Sequence, residues 1–186
     1  MLFNPSSLRL GRGVEQGSVH LPPANCKIYL PLLGVSAAWQ TEEQPHAGRR
    51  TRSSPAQKAG VAYQRRVGEF LSGGNSHWRT VASPWFAYCD MHGGKRRYCQ
   101  PDFLLVDDGN STCVIVEAKL TWTPEAWWQL ERLYRPVIAK ACRWETLLCL
   151  CISRGYDPAF PAPTAPTFVD DVYDIKPNLF NFLIFK

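Results

Sequence analysis

Two carboxylates and a lysine in the middle of the chain each adjoin an apolar run. Asp102 directly precedes the run FLLV, and the run CVIV leads into Glu117-Ala118-Lys119. Because side chains alternate along a β-strand, Glu117 and Lys119 share one face of their strand and Ala118 lies on the other. Neighbouring carboxylates raise each other's pKa unless a cation lies between them, and Mg²⁺ is a hard ion that binds oxygen ligands. Such an ion polarises a phosphate and activates a bound water, which the lysine would orient.

The same residues also have a purely structural interpretation. Glu117 and Lys119 would then be a solvated ion pair at a strand end, and Asp102 a turn residue. A glutamate two residues before a lysine is a weak signal by itself. A proline-aspartate pair, a hairpin's length of chain and an apolar run ending in Glu117-Ala118-Lys119, in that order, is a much stronger one and favours the chemical interpretation.

The elements that must position these residues are predicted in the order helix, three strands, helix, strand. A helix begins at Ser54-Pro55 and another at Thr123-Pro124, where the threonine hydroxyl is expected to cap it and Pro136 to kink or divide it. Three meandering strands, a crossover helix and a fourth strand predict a mixed α/β sheet. The predicted strands cover 77–89, 97–106, 112–119 and 145–153, with a further candidate at 181–186.

Composition limits the class of protein. The chain has 186 residues, of which 45% are hydrophobic and 20% charged, so a packed core is expected and wholesale disorder is excluded. The longest apolar stretch, 28–39, contains Pro31 and is shorter than the roughly 20 residues of a membrane-spanning helix. Seven cysteines, an odd number, favour reduced thiols. We therefore expect a soluble cytoplasmic protein with no membrane partner.

Charge and composition divide the chain into two parts. Residues 1–54 are rich in glycine, serine and proline, carry a net charge of +3, and are predicted to be a basic, partly flexible arm or extension. Residues 55–186 are predicted to form the folded domain. Within that domain the net charge is +5 over 55–100, −1 over 101–154 and −2 over 155–186. A basic region before an acid-containing centre suits a protein that holds a polyanion beside a cation site, although a solvated basic surface explains the charge equally well.

The pattern PDF followed by VIVEAK resembles the PD-(D/E)XK nuclease superfamily, and within it the exonuclease-like branch, over residues 55–153. The resemblance implies a restriction-endonuclease-like αβββαβ core, with a mixed central sheet and flanking helices. It implies that Asp102 and Glu117 bind Mg²⁺, for which Mn²⁺ substitutes, and that Lys119 assists the attacking water. The expected activity is Mg²⁺-dependent hydrolysis of DNA phosphodiester bonds in recombination, repair or phage DNA processing.

Two glutamines match further motifs of that branch with one departure each. Gln64 stands where the motif GxxYE has its acid, and we expect Gln64 rather than the nearby Glu69 to join the site, because the helical wheel turns Glu69 away from the apolar stripe. Gln129 matches the glutamine of a QxxxY motif, but Tyr134 comes one residue late. At about 100° per α-helical residue, Tyr134 turns about 140° from Gln129, so a core position is expected for the tyrosine.

Basic side chains near these motifs are candidate phosphate contacts. Lys95, Arg96 and Arg97 lie at the predicted hairpin tip before Asp102, and Arg65-Arg66 follows Gln64 directly. A solvated turn is the alternative for the first group. Three tryptophans near Lys119 would either stack on unpaired bases or pack in the core, and packing is favoured. They are Trp122, Trp127 and Trp128.

The expected partner is DNA, whether single-stranded, duplex or branched, and a helicase or recombination partner or a homodimer stays open. Three rival functions also stay open. In the first, the substrate is RNA or a branched junction. In the second, the chain is a catalytically weak or inactive nucleic-acid-binding module in which Gln64 marks the loss of metal. In the third, it is an interaction domain with a coincidental motif. Magnesium binding separates the enzyme from the last two.

Overall fold

The computed structural model describes residues 37–40, 54–73, 77–89, 96–142 and 144–186, and the elements below are those of these ranges. Helices flank a large mixed sheet, and a small second sheet lies beside it. The strands are β1 (Ala37–Gln40), β2 (Arg79–Ala82), β3 (Trp85–Cys89), β4 (Arg96–Cys99), β5 (Phe103–Asp107), β6 (Thr112–Lys119), β7 (Thr146–Ser153), β8 (Thr167–Val169) and β9 (Asn181–Ile184). The helices are α1 (Pro55–Gly73), α2 (Glu125–Trp128), a π-helix (Gln129–Tyr134), α3 (Arg135–Ala141) and a 3-10 turn (Val172–Asp174).

The large sheet has six strands in the order β2-β5-β6-β7-β9-β8. Strands β2, β5 and β6 run antiparallel, whereas β7 is parallel to β6, and β9 is parallel to both β7 and β8. The prediction of a mixed α/β sheet is therefore confirmed. The predicted strand at 112–119 matches β6, and the candidate at 181–186 forms as β9. Strand β8 was missed, because it lies within a proline-rich stretch.

Both faces of this sheet are covered. Helix α1 buries Tyr63, Val67 and Leu71 against one face, together with Val114 and Val116 of β6. The helical segment from α2 to α3 covers the other face. The central residues of β6 and β7 are apolar because strands buried on both faces have no solvent side. The side chain of Glu117 points into this second covered face and is only 3% exposed, which excludes the solvated position of the purely structural interpretation for this residue.

The two long strands predicted at 77–89 and 97–106 are each divided in two. Their outer halves, β3 and β4, form a three-stranded sheet with β1, while β2 and β5 pair in the large sheet. Pro84 and Pro101 lie at the breaks and lack the N–H that a continuous strand needs. Ser83 has a left-handed φ of 50°, and its N–H donates to the Asp102 carbonyl oxygen at 2.8 Å. Asp102 consequently precedes β5 instead of lying within a strand.

The two predicted helix starts differ in outcome. Ser54 and Gln57 cap α1 reciprocally, with the Gln57 N–H donating to Ser54 Oγ at 3.2 Å and the Ser54 N–H donating to Gln57 Oε1 at 2.8 Å. The expected hydroxyl cap at Thr123 is wrong, because no side chain caps α2 and the Thr123 backbone carbonyl accepts from the Ala126 N–H instead.

Pro136 divides the second helix as expected, and the division takes the form of a π-helix. The backbone is π-helical up to Tyr134 and returns to α-helix at Arg135, directly before the proline. A proline ring collides with the carbonyl four residues earlier in an α-helix, and the wider π turn brings a different carbonyl into that place. The apolar residues of this segment form a buried stripe, which consists of Leu130, Leu133, Tyr134, Val137 and Ile138.

Strand β1 is the one part of the predicted N-terminal arm within the described ranges, and it pairs antiparallel with β3. The prediction of flexibility for the rest of that arm lies outside those ranges. Among the helices that the structure describes, none combines the length and apolar character needed to cross a bilayer.

Candidate active site

Asp102 is held at the point where three elements meet. Its Oδ2 accepts a 2.7 Å hydrogen bond from the Ala118 backbone N–H of β6. Its Oδ1 accepts a 2.7 Å hydrogen bond from Gln64 Nε2 of α1. Both carboxylate oxygens are therefore fixed in direction, and each keeps a second lone pair for another ligand.

Glu117 and Lys119 form a close pair beside this aspartate. The Lys119 ammonium lies 2.6 Å from Glu117 Oε1, and the side chains are 26% and 4% exposed. The second oxygen, Glu117 Oε2, is buried and has no hydrogen-bond partner among the described residues. An unpartnered buried carboxylate oxygen is costly, so this atom is the natural position for an additional cationic ligand.

The electrostatics of the group follow from burial. Burial, and then the charge of Asp102, raise the pKa of Glu117 to about 7, against the lowering effect of Lys119. Burial also raises the pKa of Asp102, although the Ala118 N–H and the charge of Lys119 oppose the rise. Burial alone would lower the pKa of Lys119, but the charge and hydrogen bond of Glu117 and the charge of Asp102 outweigh it and raise that pKa. One cation thus balances two carboxylates, which leaves the site short of positive charge.

Gln64 and Glu69 were the two residues of α1 considered for the position of the motif's acid, and the structure brings only Gln64 to the site. Glu69 is exposed and pairs with Arg65 at 3.5 Å. A groove of about 590 Å³ opens beside Gln64 between α1 and β2, and Gly68 and Phe103 lie in its wall. Gln64 therefore lies both at the carboxylates and at the entrance to an open groove.

The π-helix overturns the expected separation of Gln129 and Tyr134. The estimate of about 140° assumed α-helical geometry, whereas here the Arg135 N–H bonds to the Leu130 carbonyl, five residues back. Residues five apart lie about one turn above each other in such a helix. The wider turn therefore compensates for the one additional residue between Gln129 and Tyr134, compared with the QxxxY spacing. Gln129 Oε1 is buried without a partner among the described residues.

Tyr134 is a core residue, as expected, but it also adjoins the site. Its hydroxyl donates to the Gln100 carbonyl at 3.2 Å. Burial raises its pKa, and the charges of Glu117 and Asp102 raise it further. The hydroxyl therefore lies close enough to Glu117 and Asp102 for their charges to act on it.

Sequence reasoning missed two residues near the pair. Glu125, the first residue of α2, lies close enough for its charge to raise the pKa of Glu117. Ser153, the last residue of β7, is fully buried, and its hydroxyl has no partner among the described residues. The signal for Ser153 was its position, since it is the one hydroxyl that ends the apolar run LLCLCI.

The basic candidates that the structure describes lie on two separate elements, α1 and β4. Arg65 pairs with Glu69, and Arg66 donates to the Lys186 carbonyl at 2.8 Å. Arg96 and Arg97 are exposed on β4 of the small sheet, and Lys95 lies outside the described ranges. The packing interpretation of the tryptophans is confirmed, since Trp122 and Trp127 are buried in the core and Trp128 packs against it.

Two carboxylates are what this site offers a metal. Across the described ranges, no group of three or more histidine, cysteine, aspartate or glutamate residues is placed to hold an ion. The donor set nevertheless fits Mg²⁺, because that ion is commonly bound through one or two carboxylates and keeps several waters. The unpartnered Glu117 Oε2 is consistent with such a ligand.

Comparison with known proteins adds no relative. No protein-family model, curated protein or solved structure matches this chain.

Proposed function

We propose that this protein is a Mg²⁺-dependent DNA nuclease of the PD-(D/E)XK type, which hydrolyses phosphodiester bonds. The observation that carries the proposal is the buried Glu117, whose Oε1 lies 2.6 Å from the Lys119 ammonium and whose Oε2 has no partner among the described residues, next to the fixed carboxylate of Asp102. A structural ion pair does not require a buried oxygen without a partner, whereas a metal site requires a carboxylate oxygen that no protein group occupies.

The order of the elements supports the same proposal. Helix α1, strands β2, β5 and β6, the α2-to-α3 helical segment and strand β7 follow one another as helix, three strands, helix and strand. In the sheet these strands are neighbours in the order β2-β5-β6-β7, with β7 parallel to β6. This arrangement supports the restriction-endonuclease-like αβββαβ core of the proposal. The β3-β4 pair would then be an insertion between its first and second strands.

Each residue of the site has a defined task in the proposed mechanism. Asp102 and Glu117 would hold Mg²⁺, which when bound polarises the scissile phosphate and lowers the pKa of a coordinated water. Lys119 donates hydrogen bonds from its ammonium and fixes the direction of the attacking water. Gln64 holds Asp102 Oδ1 in place.

The test is cleavage of labelled single-stranded, blunt duplex and branched DNA, with Mg²⁺ and with EDTA. Lys119→Ala should reduce cleavage at least a hundredfold, because an aligned ammonium in a water-poor site contributes on this scale. Lys140→Ala is the matched control, because Lys140 is an exposed lysine on α3. This variant should cleave DNA like wild type. Cleavage that persists in EDTA, or in Lys119→Ala, would contradict the proposal.

One contact favours the alternative of a catalytically weak or inactive nucleic-acid-binding module. The neutral amide of Gln64 occupies an oxygen of Asp102 at 2.7 Å, where the resembled branch has an acid. The same experiment separates the two functions. Absence of cleavage on every DNA, with DNA affinity that falls steeply as salt rises, would identify the binding module.

A further inference from the structure

Ser153 lies beside the catalytic lysine candidate on the neighbouring strand. In the parallel β6-β7 pair, Lys119 is in register with Ser153, and Glu117 with Cys151. Paired residues of adjacent strands point to the same face, and their backbones are about 4.8 Å apart. Cys149 and Cys151 share a core cluster with Ile115 of β6, so the odd-numbered residues of both strands face the α2-to-α3 segment. Ser153 therefore shares the face of Glu117 and Lys119.

The Ser153 hydroxyl has no structural task on this face. The residue is 0% exposed, yet its Oγ has no hydrogen-bond partner within the part of the chain that the structure describes. Asn181, a buried polar residue on β9, shows the usual situation. Its amide donates to three carbonyl oxygens and its Oδ1 accepts from the Lys176 N–H. A hydroxyl kept in the core without such bonds lowers stability, so a different role has to account for it.

The neighbouring ammonium shows what that role is. Lys119 has three N–H donors, and Glu117 Oε1 takes one of them. Ser153 Oγ and Lys119 Nζ make no direct hydrogen bond, and their residues are in register on neighbouring strands, so a water that bridged the two groups would bind to both. Such a water would accept from the ammonium and donate to the hydroxyl oxygen, which fixes its orientation at two points.

We infer that Ser153 is part of the water-binding site of the proposed nuclease, where its hydroxyl and the Lys119 ammonium together hold the water that attacks the phosphodiester. This inference rests on the proposed function. It adds a residue of β7 to a site that the sequence motifs locate only next to β5 and on β6, α1 and the π-helix.

Threonine and valine at position 153 test the role of the hydroxyl, because they have nearly the same shape and differ in the hydroxyl alone. Ser153→Thr should keep most of the wild-type kcat. Ser153→Val should lower kcat about tenfold relative to Ser153→Thr, with a similar KM, since it loses one hydrogen bond to the attacking water. Ser153→Ala should also lose activity.

Stability provides a readout that does not depend on cleavage. In EDTA, the Tm of Ser153→Ala should not fall below that of wild type, because the hydroxyl bonds to no protein group among the described residues and its proposed partner is an exchangeable water. A hydroxyl with a structural role would give the opposite result, lower Tm and lower activity together.

The outcomes separate this inference from the proposed function. If wild type cleaves DNA and Ser153→Val is as active as Ser153→Thr, the inference is overturned and the nuclease stands. A Tm of Ser153→Ala well below wild type would also overturn the inference alone. If wild type cleaves no DNA with Mg²⁺, the proposed function fails and this inference fails with it.

Discussion

Gln64→Glu replaces one amide nitrogen of the site with an oxygen and adds a negative charge. We expect the variant to be less stable than wild type without metal and to gain more stability than wild type from Mg²⁺. In wild type, Gln64 Nε2 donates to Asp102 Oδ1 at 2.7 Å, so the amide stabilises the ionised aspartate. A glutamate there would place two carboxylates against each other. At about 4 Å and an effective dielectric constant of about 20, their repulsion is about 4 kcal/mol, and the lost hydrogen bond to a charged group adds about 1.5 to 3 kcal/mol.

Rotation of the side chain limits this cost. Gln64 is half-buried, so the new carboxylate can turn partly towards the groove between α1 and β2. We therefore expect the free energy of unfolding in EDTA to fall by about 2 to 4 kcal/mol, below the sum of the separate effects. A bound cation offsets this loss, because three carboxylates hold Mg²⁺ more tightly than two. At a Mg²⁺ concentration of 100 times its Kd, binding restores about 2.7 kcal/mol.

The assay is urea unfolding of wild type and variant in EDTA and in excess Mg²⁺, with direct calorimetric titration of Mg²⁺. Gln57→Glu is the control, because Gln57 belongs to the same helix and its side chain accepts from the exposed helix start, where an acid is tolerated. That variant should stay within about 0.5 kcal/mol of wild type in both buffers. The reasoning is refuted if Gln64→Glu is as stable as wild type in EDTA, or if Mg²⁺ stabilises it no more than it stabilises wild type.

The remaining predictions concern the buried acid, a close backbone approach and the tyrosine. Because the pKa of Glu117 rises from 4.5 to about 7 on folding, the folded state holds a proton that the unfolded state has lost. In EDTA, wild type should therefore lose up to about 3 kcal/mol of stability relative to Glu117→Gln as the pH rises from 4.5 to about 7. Parallel stability-pH curves for the two proteins would contradict this. Gly68→Ala should lower stability by about 1 to 3 kcal/mol, because a Cβ there would lie 2.9 Å from the buried ring of Phe103. Gly60→Ala in the same helix meets nothing within 4 Å and should raise stability by about 0.5 to 1 kcal/mol, and urea unfolding that ranks the two variants the other way would be inconsistent with this packing. Tyr134→Phe should cost about 1 kcal/mol through its lost hydrogen bond, and unchanged urea unfolding would argue against that bond.

The local part of the fold could be predicted from the sequence. The end signals of α1 worked because Ser54 and Gln57 satisfy the helix start through their own side chains. The run from Thr112 to Lys119 gave the whole of β6, since alternation and an apolar run are properties of consecutive residues. The shared face of Glu117 and Lys119 follows from the same alternation. The preference for Gln64 over Glu69 follows from the helical wheel of α1.

Three features did not follow from these local patterns. The division of the predicted hairpin into two sheets requires Ser83 and Asp102, far apart in sequence, to bond to each other. The π-helix, which changes the relation of Gln129 to Tyr134, departs from the α-helical spacing that every wheel argument assumes.

Burial was the third feature, and it decides the chemistry. The residues Asp102, Glu117 and Lys119 were identified from sequence, but the burial of Glu117 was not, because it requires helices on both faces of the sheet. That burial raises the pKa of Glu117 and leaves its Oε2 without a partner among the described residues. Ser153 joins them through a parallel strand pair more than thirty residues away in sequence. The sequence by itself determined which groups are present and which face each one takes. Only the tertiary structure decided how close together they lie and how little water reaches them, because proximity and desolvation are properties of packed elements and not of the residues alone.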